Sequence, residues 1–587
     1  MIGFKVIQPG LLSLIQDAGR FGQHHIGLTV GGPSDRDSFK WANRLCSNSE
    51  NSAIIEITVG GLVLESSVET YFAVTGASIP LSINKVPHST WTLHKVNIGD
   101  RIEIGFATVG SRCYLSVAGG FDIAPVFGSC STVTRESIGG LHGDGLAIEA
   151  GDFLPCSSGL LAAPWCLPKE QRPDHVETAQ PITVLRVILG YQQNYFTEQQ
   201  KRLFFSSEYT VSERNDRMGS RLIGPSIKPS AGGLLSEGIC LGAIQIPADG
   251  QPIVLLHDRQ TIGGYPKIGS VLSLDLDKLT QLPTQSLVKF ESISIEEAHN
   301  LLHLAKARQQ RTRPMVDINL LSEQIEQLMV ASNSRGMQTV SNAVQSGSYK
   351  RAAETIVACK ETVFIGTGFP VKGTFETDGP VGAIALYHAI KRMGGNPIMV
   401  CDAPLAKLFE KSFTTQEIHF DLDETQSILE RHNPSLIISI ERPGQAADGR
   451  YYNMRGVDIS KHCANFDRFM SLATCPTIAI GDGGNEIGMG NIGDALAKLD
   501  IQPSTTTCDE LLLADISNWA AHGLLALVSV LVEEDLLSDW DNDAVLTFLS
   551  DARSVDGVTG ENTLTEDSVA SSVSQRLVKD LQTLSGF

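Results

Sequence analysis

A change of pattern near residue 295 constrains this chain more than anything else in its sequence. Before it, short alternating runs recur, among them residues 71–74, 91–96, 101–104 and 114–117. Glycine-rich turns such as Gly60-Gly61, Asn97-Ile98-Gly99-Asp100 and Gly119-Gly120 separate them. Short strands with turn signals at that spacing predict barrels or sandwiches. Beyond residue 295, short apolar runs at 362–365, 397–400, 436–440, 476–480 and 511–513 alternate with stretches of helical spacing. That alternation predicts βαβ units and a parallel sheet covered on both faces. One core does not organise both patterns, and 587 residues exceed what one core usually holds.

The expected architecture is multidomain. An all-β N-terminal half forms two units, at 1–165 and 180–295, and an α/β domain with a mainly parallel sheet occupies 315–587. The segment 157–181 carries four prolines and mixed charge, which marks an internal boundary. Residues 296–310, EEAHNLLHLAKARQQ, have helical spacing and end before Arg313-Pro314, so 296–314 reads as a helical linker.

Apolar residues at 42% and charged residues at 19% describe a soluble globular chain. A net charge of -20 without a basic stripe argues against nucleic acid as a partner. The eleven cysteines contain no CxxC pair, which argues against a zinc ribbon or a disulfide framework and fits a reducing cytoplasm. MIGFKVIQPG lacks the basic start and apolar core of a signal peptide. The longest apolar run, 519–532, holds His522 and falls short of the ~20 residues a membrane span needs. It reads as a buried helix, and no membrane partner is expected.

In the second half, the residues that close each apolar run carry the chemistry. The first run ends in Gly366-Thr367-Gly368, with Glu376, Asp378 and Gly379 close behind. The next end in Asp402, in Glu441-Arg442, and in GDGGNEIGMG at 481–490. Ligands of open parallel sheets bind outside the carboxyl ends of the strands, so these groups should meet in one crevice. A glycine turn after a strand is ordinary, and Asp402 alone could cap a helix. Asp482, Asn485 and Glu486 among four glycines suit a metal or an ammonium group better than a cap. The polar stretch 439–460, with Glu441, Arg442, Asp448, Arg450, Asn453 and Arg455, suits a small doubly charged molecule, although loop-bracing ion pairs would explain Arg450 and Arg455 equally well.

The segments ETDGP (376–380), ERPGQAADGRYYNMRG (441–456), GDGGNEIGMG and SNW (517–519) resemble the D-glutamate cyclase family, as does DARSVDGVTGENTLT at 551–565. The resemblance spans about residues 314–587. It implies conversion of D-glutamate to 5-oxo-D-proline with loss of water. Asp378, Glu441, Asp482, Asn485 and Glu486 are then the candidate catalytic residues, with Gly366, Gly368, Arg442, Asp448, Arg450, Asn453 and Arg455 binding substrate. Arg442 or Arg455 could clamp the α-carboxylate, Glu486 or Asp482 could act as base, and Asp378 with Asp482 could hold Mn²⁺ or Mg²⁺. Five-membered ring closure is intramolecular and needs no ATP.

Three blocks dominate the first half: QDAGRFGQHHIGLTVGGPSD (16–35), ERNDRMGSRLIGP (213–225), and 236–269, which ends in PADGQPIVLLHDRQTIGGYPKIG. Charged residues directly after the apolar run 253–256 read as the rim of a barrel mouth. These blocks resemble the C-type subunit of bacterial 5-oxoprolinase, the KipA-like or allophanate hydrolase subunit 2 family, also found in the carboxyltransferase region of urea carboxylases. The resemblance implies two cyclophilin-like β-barrel units. It also implies assembly with the KipI-like B-type and the A-type subunits of 5-oxoprolinase, which brings in ATP and the substrate 5-oxoproline. His25, Asp35, Glu56, Arg217, Arg221, Gln251, Asp258, Arg259, Gln260, Tyr265 and Lys267 are carried over as site-lining residues. Two positions depart from the family pattern: Cys130 replaces the arginine of Gly-Ser-Arg-Ser-Thr, and Ser34 precedes Asp35. No AMKM-type biotin attachment site is present. Together the halves imply a bifunctional cytoplasmic protein of D-glutamate and 5-oxoproline metabolism. The alternatives are a KipA-like regulatory protein binding a KipI-like partner, or an accessory domain of urea or amide carboxylation.

Overall fold

Alternating apolar and polar residues can close a sheet into a barrel or stack two sheets face to face, and the first half of this chain does both. The computed structural model describes residues 2–177, 180–230, 234–420 and 422–587. Its first unit comprises Met1–Leu160 and Trp165–Met315, its second Leu161–Pro164 and Val316–Phe587.

The expected pair of barrels is corrected: among the described residues one barrel closes. Up to residue 155 the strands form two antiparallel sheets, one six-stranded and one five-stranded. Their outer strands, Val86–His88 and Phe153–Pro155 on one sheet and Leu12–Gln16 and Leu93–Val96 on the other, pair on one side only. Residues from both sheets, including Phe4, Leu64, Phe72 and Leu115, meet in a shared core. The seven-stranded barrel begins at Ile182–Leu189 and closes when Leu287–Ser292 pairs with that first strand in parallel, Ile182 opposite Leu287. Phe204 and Phe290 stack in its core with ring centroids 4.3 Å apart. Sandwich and barrel share the same period of two, so the sequence pattern did not separate them. Residues Ile295–Arg311 form a helix opened by a Ser294–Glu297 capping box, and they cluster with the first unit.

The second unit holds the parallel sheet. Its strands are β1 (Thr362–Thr367), β2 (Asn396–Cys401), β3 (Thr415–Glu417), β4 (Leu436–Ile440), β5 (Thr477–Gly481) and β6 (Glu510–Leu513). They lie in the order β3-β2-β1-β4-β5-β6, every neighbouring pair parallel. Successive residues serve opposite faces: Val363 and Ile365 enter one core cluster and Phe364 the other, as do Ile438 and Ile437. Burial on both faces explains the continuous apolar runs. The order reverses between β1 and β4, which makes the crevice outside their carboxyl ends the topological switch point.

Two helices rise from that crevice, α1 (Pro380–Arg392) and α2 (Ser517–Val532). Helix α2 is buried from Ser517 to Ser529, as its all-round apolar composition requires. No helix among the described residues is long and apolar enough to cross a membrane. Gly366 of β1 has a packing role, since a Cβ there would lie 2.2 Å from the Phe466 ring.

His522 is fully buried in α2, its ring 4.9 Å from that of Trp540 in an edge-on contact. Neither ring nitrogen has a hydrogen-bond partner among the described residues, and burial pushes the imidazole down to about 3. The unfolded chain therefore takes up a proton near pH 6.5 that the folded chain refuses until about pH 3. Stability from this group is complete above pH 6.5 and is lost as pH falls, by up to about 1.4 kcal/mol per pH unit. Thermal unfolding of the full chain between pH 7 and about pH 4 should show a shallower acid loss in His522→Phe than in the wild type.

Candidate active site

At the switch point each helix caps the other. Asp378 follows β1 and accepts hydrogen bonds through Oδ2 from the Ser517 N–H (2.9 Å) and through Oδ1 from the Asn518 N–H (2.8 Å), at the start of α2. Asn518 returns the arrangement: its Oδ1 accepts from the N–H groups of Gly379 (2.9 Å) and Gly382 (2.8 Å), at the start of α1. The turn needs glycine, because Gly379 has φ +90° and a Cβ there would lie 2.7 Å from the Glu441 Cβ. Two helix N-termini thus meet at the crevice, where their positive ends favour negative charge.

The loops after β4 and β5 bring more carboxylates. Glu441 leaves β4 in the left-handed region, φ 45°, which is costly for a non-glycine residue and aims its side chain into the site. Its Oε2 accepts from the Ser517 hydroxyl at 2.6 Å. After β5, Glu486 folds back so that Oε2 accepts from the N–H groups of Gly484 (2.8 Å) and Gly483 (3.3 Å). Asn485 donates through Nδ2 to the Tyr452 carbonyl at 2.9 Å. Asp378, Glu441 and Asp482 each offer one oxygen, and the three oxygens lie within 4.8 Å of one another. Arg335, from the loop after the helix Ile318–Met329, bridges Asp482 and Asp567 at 2.5 Å each.

Other expected site residues serve elsewhere. Arg442 is 1% exposed and donates to Asp402, to the Thr367 carbonyl and to the Ala464 carbonyl, so the expected substrate clamp is instead a tie between strand ends. Asp448, Arg450 and Arg455 are exposed. Asp448 and Asp458 pair with Arg450, and Arg455 donates to the Val558 carbonyl. Asn453 spends its Oδ1 on the N–H groups of Arg455 and Val457. This is the bracing alternative. Gly368 has φ +110° and makes the turn after β1.

In the first unit, Arg217 is the centre of a closed network. Its guanidinium reaches Asp258 at 2.9 Å, Glu56 at 2.5 Å, the Ser34 hydroxyl at 2.8 Å and the Gly32 carbonyl at 2.6 Å. Glu56 also accepts from the Ser34 N–H and the Tyr114 hydroxyl. Asp35 is fully buried, caps the helix Arg36–Leu45 through the Ser38 N–H and holds His175 at 3.1 Å. Arg259 donates to backbone carbonyls, Gln251 pairs with the backbone of Gly224, and Lys267 pairs with Glu237. His25, Arg221, Gln260 and Tyr265 are exposed. Around Cys130 the loop is held by other residues: Asp17 accepts from the Cys130 N–H, and Arg20 donates to the carbonyls of Val126, Ser129 and Ser131.

Comparison with known proteins assigns both units. Residues 26–292 match the model of the carboxyltransferase domain, subdomain A and B, and residues 325–582 match the D-glutamate cyclase-like C-terminal model. The C-type 5-oxoprolinase subunit of Escherichia coli (strain K12) is 35% identical over 318 residues, covering 53% of this chain and 95% of that protein. The chain belongs to this C-type 5-oxoprolinase family, with a D-glutamate cyclase-like domain fused behind it. Mitochondrial D-glutamate cyclase of Homo sapiens is 29% identical over 204 residues, 29% of this chain and 33% of the human protein. Urea amidolyase of Lachancea kluyveri is 31% identical over 322 residues, 51% of this chain but 17% of that protein. The chain thus spans a minor part of these last two relatives.

Within the cyclase-like domain the electrostatics are dominated by burial. It pushes the carboxyls of Glu441, Glu376 and Asp567 well above their ordinary range, each helped by neighbouring acids. Asp482 is also pushed well above by burial, against the pull of Arg335. Asp378 is pushed up to about 7, by burial and then by Asp567. Burial opposes the charge on Arg335, but Asp482 and Asp567 more than offset it and hold the guanidinium above its usual value. Asp482 Oδ2, Glu486 Oε1 and Asn485 Oδ1 are buried without a hydrogen-bond partner among the described residues. Hard, all-oxygen donors with unspent lone pairs fit a divalent cation of the Mg²⁺ or Mn²⁺ class, and Asp378, Glu441 and Asp482 would hold it.

The structure therefore brings together Asp378, Glu441, Asp482, Asn485 and Glu486, and adds Glu376, Ser517, Asn518, Asp567 and Arg335. Ser517 and Asn518 carried a signal, since small polar residues open an apolar helix. Arg335 carried none. Because it is the guanidinium between two buried acids, Arg335→Met should destabilise the second unit by roughly 2–4 kcal/mol, the buried-pair value discounted for its partial exposure. Arg455→Ala should stay within about 0.5 kcal/mol, and chemical denaturation of the full-length variants compares them.

Proposed function

We propose that the second unit cyclises D-glutamate to 5-oxo-D-proline and that the first acts as the C-type subunit of an ATP-dependent 5-oxoprolinase, assembling with the KipI-like B-type and the A-type subunits. The observation that carries the cyclase reading is the convergence of buried carboxylates, with unspent oxygens, on two helix N-termini at the switch point. Ring closure forms one C–N bond and breaks one C–O bond. The α-ammonium gives up two protons, and both leave on the departing oxygen as water. The site must therefore accept protons near the nitrogen and return them near the oxygen. In the cation-free site Glu441, kept protonated by burial and by Asp482, suits the donor, and Asp378, near 7, suits a group that changes state; a bound cation would instead take both as ionised ligands. Glu486, fixed by two glycine N–H groups with Oε1 free, suits the acceptor that faces the ammonium. A divalent cation, when bound, would polarise the γ-carboxylate. The five-membered ring gains its effective molarity from being intramolecular, which is why no ATP is needed at this site.

For the first unit, the similarity to urea amidolyase favours a second reading, a part in urea or amide carboxylation. Reconstitution with the A-type and B-type subunits separates the two: ATP-dependent opening of 5-oxoproline supports the oxoprolinase reading. Tight binding of the KipI-like partner without turnover supports a regulatory role.

The first assay is the full-length protein with D-glutamate and no ATP, in Mn²⁺, Mg²⁺ or EDTA, followed by chiral chromatography of 5-oxoproline. The D-lactam should form, EDTA should suppress it, and Glu441→Gln and Asp482→Asn should each lower kcat by about 10²–10⁴-fold. No product from either enantiomer, with the folded protein in any cation, would end the cyclase reading.

A further inference from the structure

The first unit contains a cavity of about 990 Å³ that none of the roles above uses. Three helices wall it: Arg36–Leu45, Ser273–Gln281 and Ile295–Arg311. Its lining is charged in both signs. Asp37 and Asp277 stand beside His175, and Lys40, Arg36 and Arg308 face the same space. Asp35 is spent on Ser38, Gln281 and His175, so it orients the imidazole and takes no ligand itself. Asp277 uses Oδ1 on the Arg36 N–H, and its Oδ2 accepts no hydrogen bond among the described residues. Arg36 and Arg308 form no ion pair among the described residues, although both line the cavity. Burial raises the carboxyls of Asp37 and Asp277, helped by Asp35 and opposed by His175.

The charge pattern decides the ligand class. A phosphate or simple anion would meet Asp37 and Asp277, and a bare cation would meet Arg36, Lys40 and Arg308. A molecule with an ammonium and a carboxylate satisfies both sets. We infer that this cavity is a second small-molecule site that takes a zwitterionic α-amino acid, with its ammonium on Asp277 and Asp37 and its carboxylate on Arg308 and Lys40. The guanidinium fork suits the carboxylate, and an ammonium replaces the missing partner of Asp277. The inference stands apart from the cyclase reading, because none of these residues belongs to the second unit.

The test uses the full-length chain carrying Asp482→Asn, so that the cyclase-like site does not turn over the probe. Isothermal titration with glycine, L-alanine and L-glutamate should show one saturable site for at least one of them. 5-Oxoproline, which lacks the ammonium, and inorganic phosphate should bind about tenfold more weakly or not at all. Added separately, Asp277→Asn and Arg308→Ala should each weaken the amino acid by about tenfold or more. Arg308→Ala in an otherwise wild-type chain should leave D-glutamate cyclisation unchanged. Arg308 lies on an exposed helix face, so this variant guards against a folding defect in Asp277→Asn. The inference is overturned if no amino acid binds saturably up to about 10 mM, if both variants bind as the parent does, or if 5-oxoproline or phosphate binds equally well and both variants weaken that binding as much. A chain that fails to cyclise D-glutamate yet binds an amino acid here would sink the cyclase reading alone.

Discussion

The second unit depends on an exchange of caps between Asp378 and Asn518. Each side chain satisfies the open N–H groups at the start of the helix that the other residue belongs to or precedes. The exchange fixes α1 and α2 to each other directly above the ends of β1 and β4. A carboxylate that caps a helix gains from the positive end of the peptide dipoles, and two such ends here serve one small volume. Burial of Asp378, Glu441, Asp482 and Glu486 together is costly for their charged forms, and the caps offset part of that cost at Asp378. The acid site is thus a consequence of where the helices begin, and the helices begin where the strand order reverses.

Arg335 completes that balance only in part. One guanidinium lies between Asp482 and Asp567, while Glu376, Glu441 and Glu486 have hydroxyl, amide or acid neighbours in place of a cation. A pocket left with more carboxylates than cations is poised either to keep protons or to receive positive charge from outside. Both properties are ones that the proposed cyclisation would use. The left-handed backbone of Glu441 is a second local cost that the surrounding structure sustains at the same place.

The sheet was legible because burial on both faces leaves a mark that needs no partner to be read: the runs that form β1, β2, β4, β5 and β6 are predominantly apolar. Strand β3, Thr-Gln-Glu, lies at the edge of the sheet and shows no such run. Asp482, Asn485 and Glu486 were legible for the opposite reason, as a core has no use for acids among glycines. Arg442 misled because a guanidinium that follows a strand can bind a ligand or tie strand ends, and only the tertiary position of Asp402 decides between these. Arg335 and Asp567 come from distant loops, and their meeting with Asp482 is a property of the fold alone. The N-terminal half shows the same limit at larger scale: alternation recorded which residues face inward but not whether the sheet would close.

The first unit also shows why a family pattern transfers less readily than a fold. Glu56, Arg217 and Asp258 are buried and satisfy one another, with Ser34 and Tyr114 closing the remaining valences. A network of that kind holds two β-structures in a fixed relation whether or not a ligand binds, so its presence speaks to architecture before chemistry. Ser34, a departure from the family pattern, is absorbed because its hydroxyl accepts from Arg217 and donates to Glu56. Cys130 is absorbed differently. Asp17 and Arg20 fix the surrounding loop, and Cys130 itself packs half-buried against the sandwich core, so the loop is supported with a cysteine at this position. What such a unit gains from being joined to a cyclase-like domain follows from the covalent link itself. The link fixes one copy of each unit per chain, whatever either unit binds.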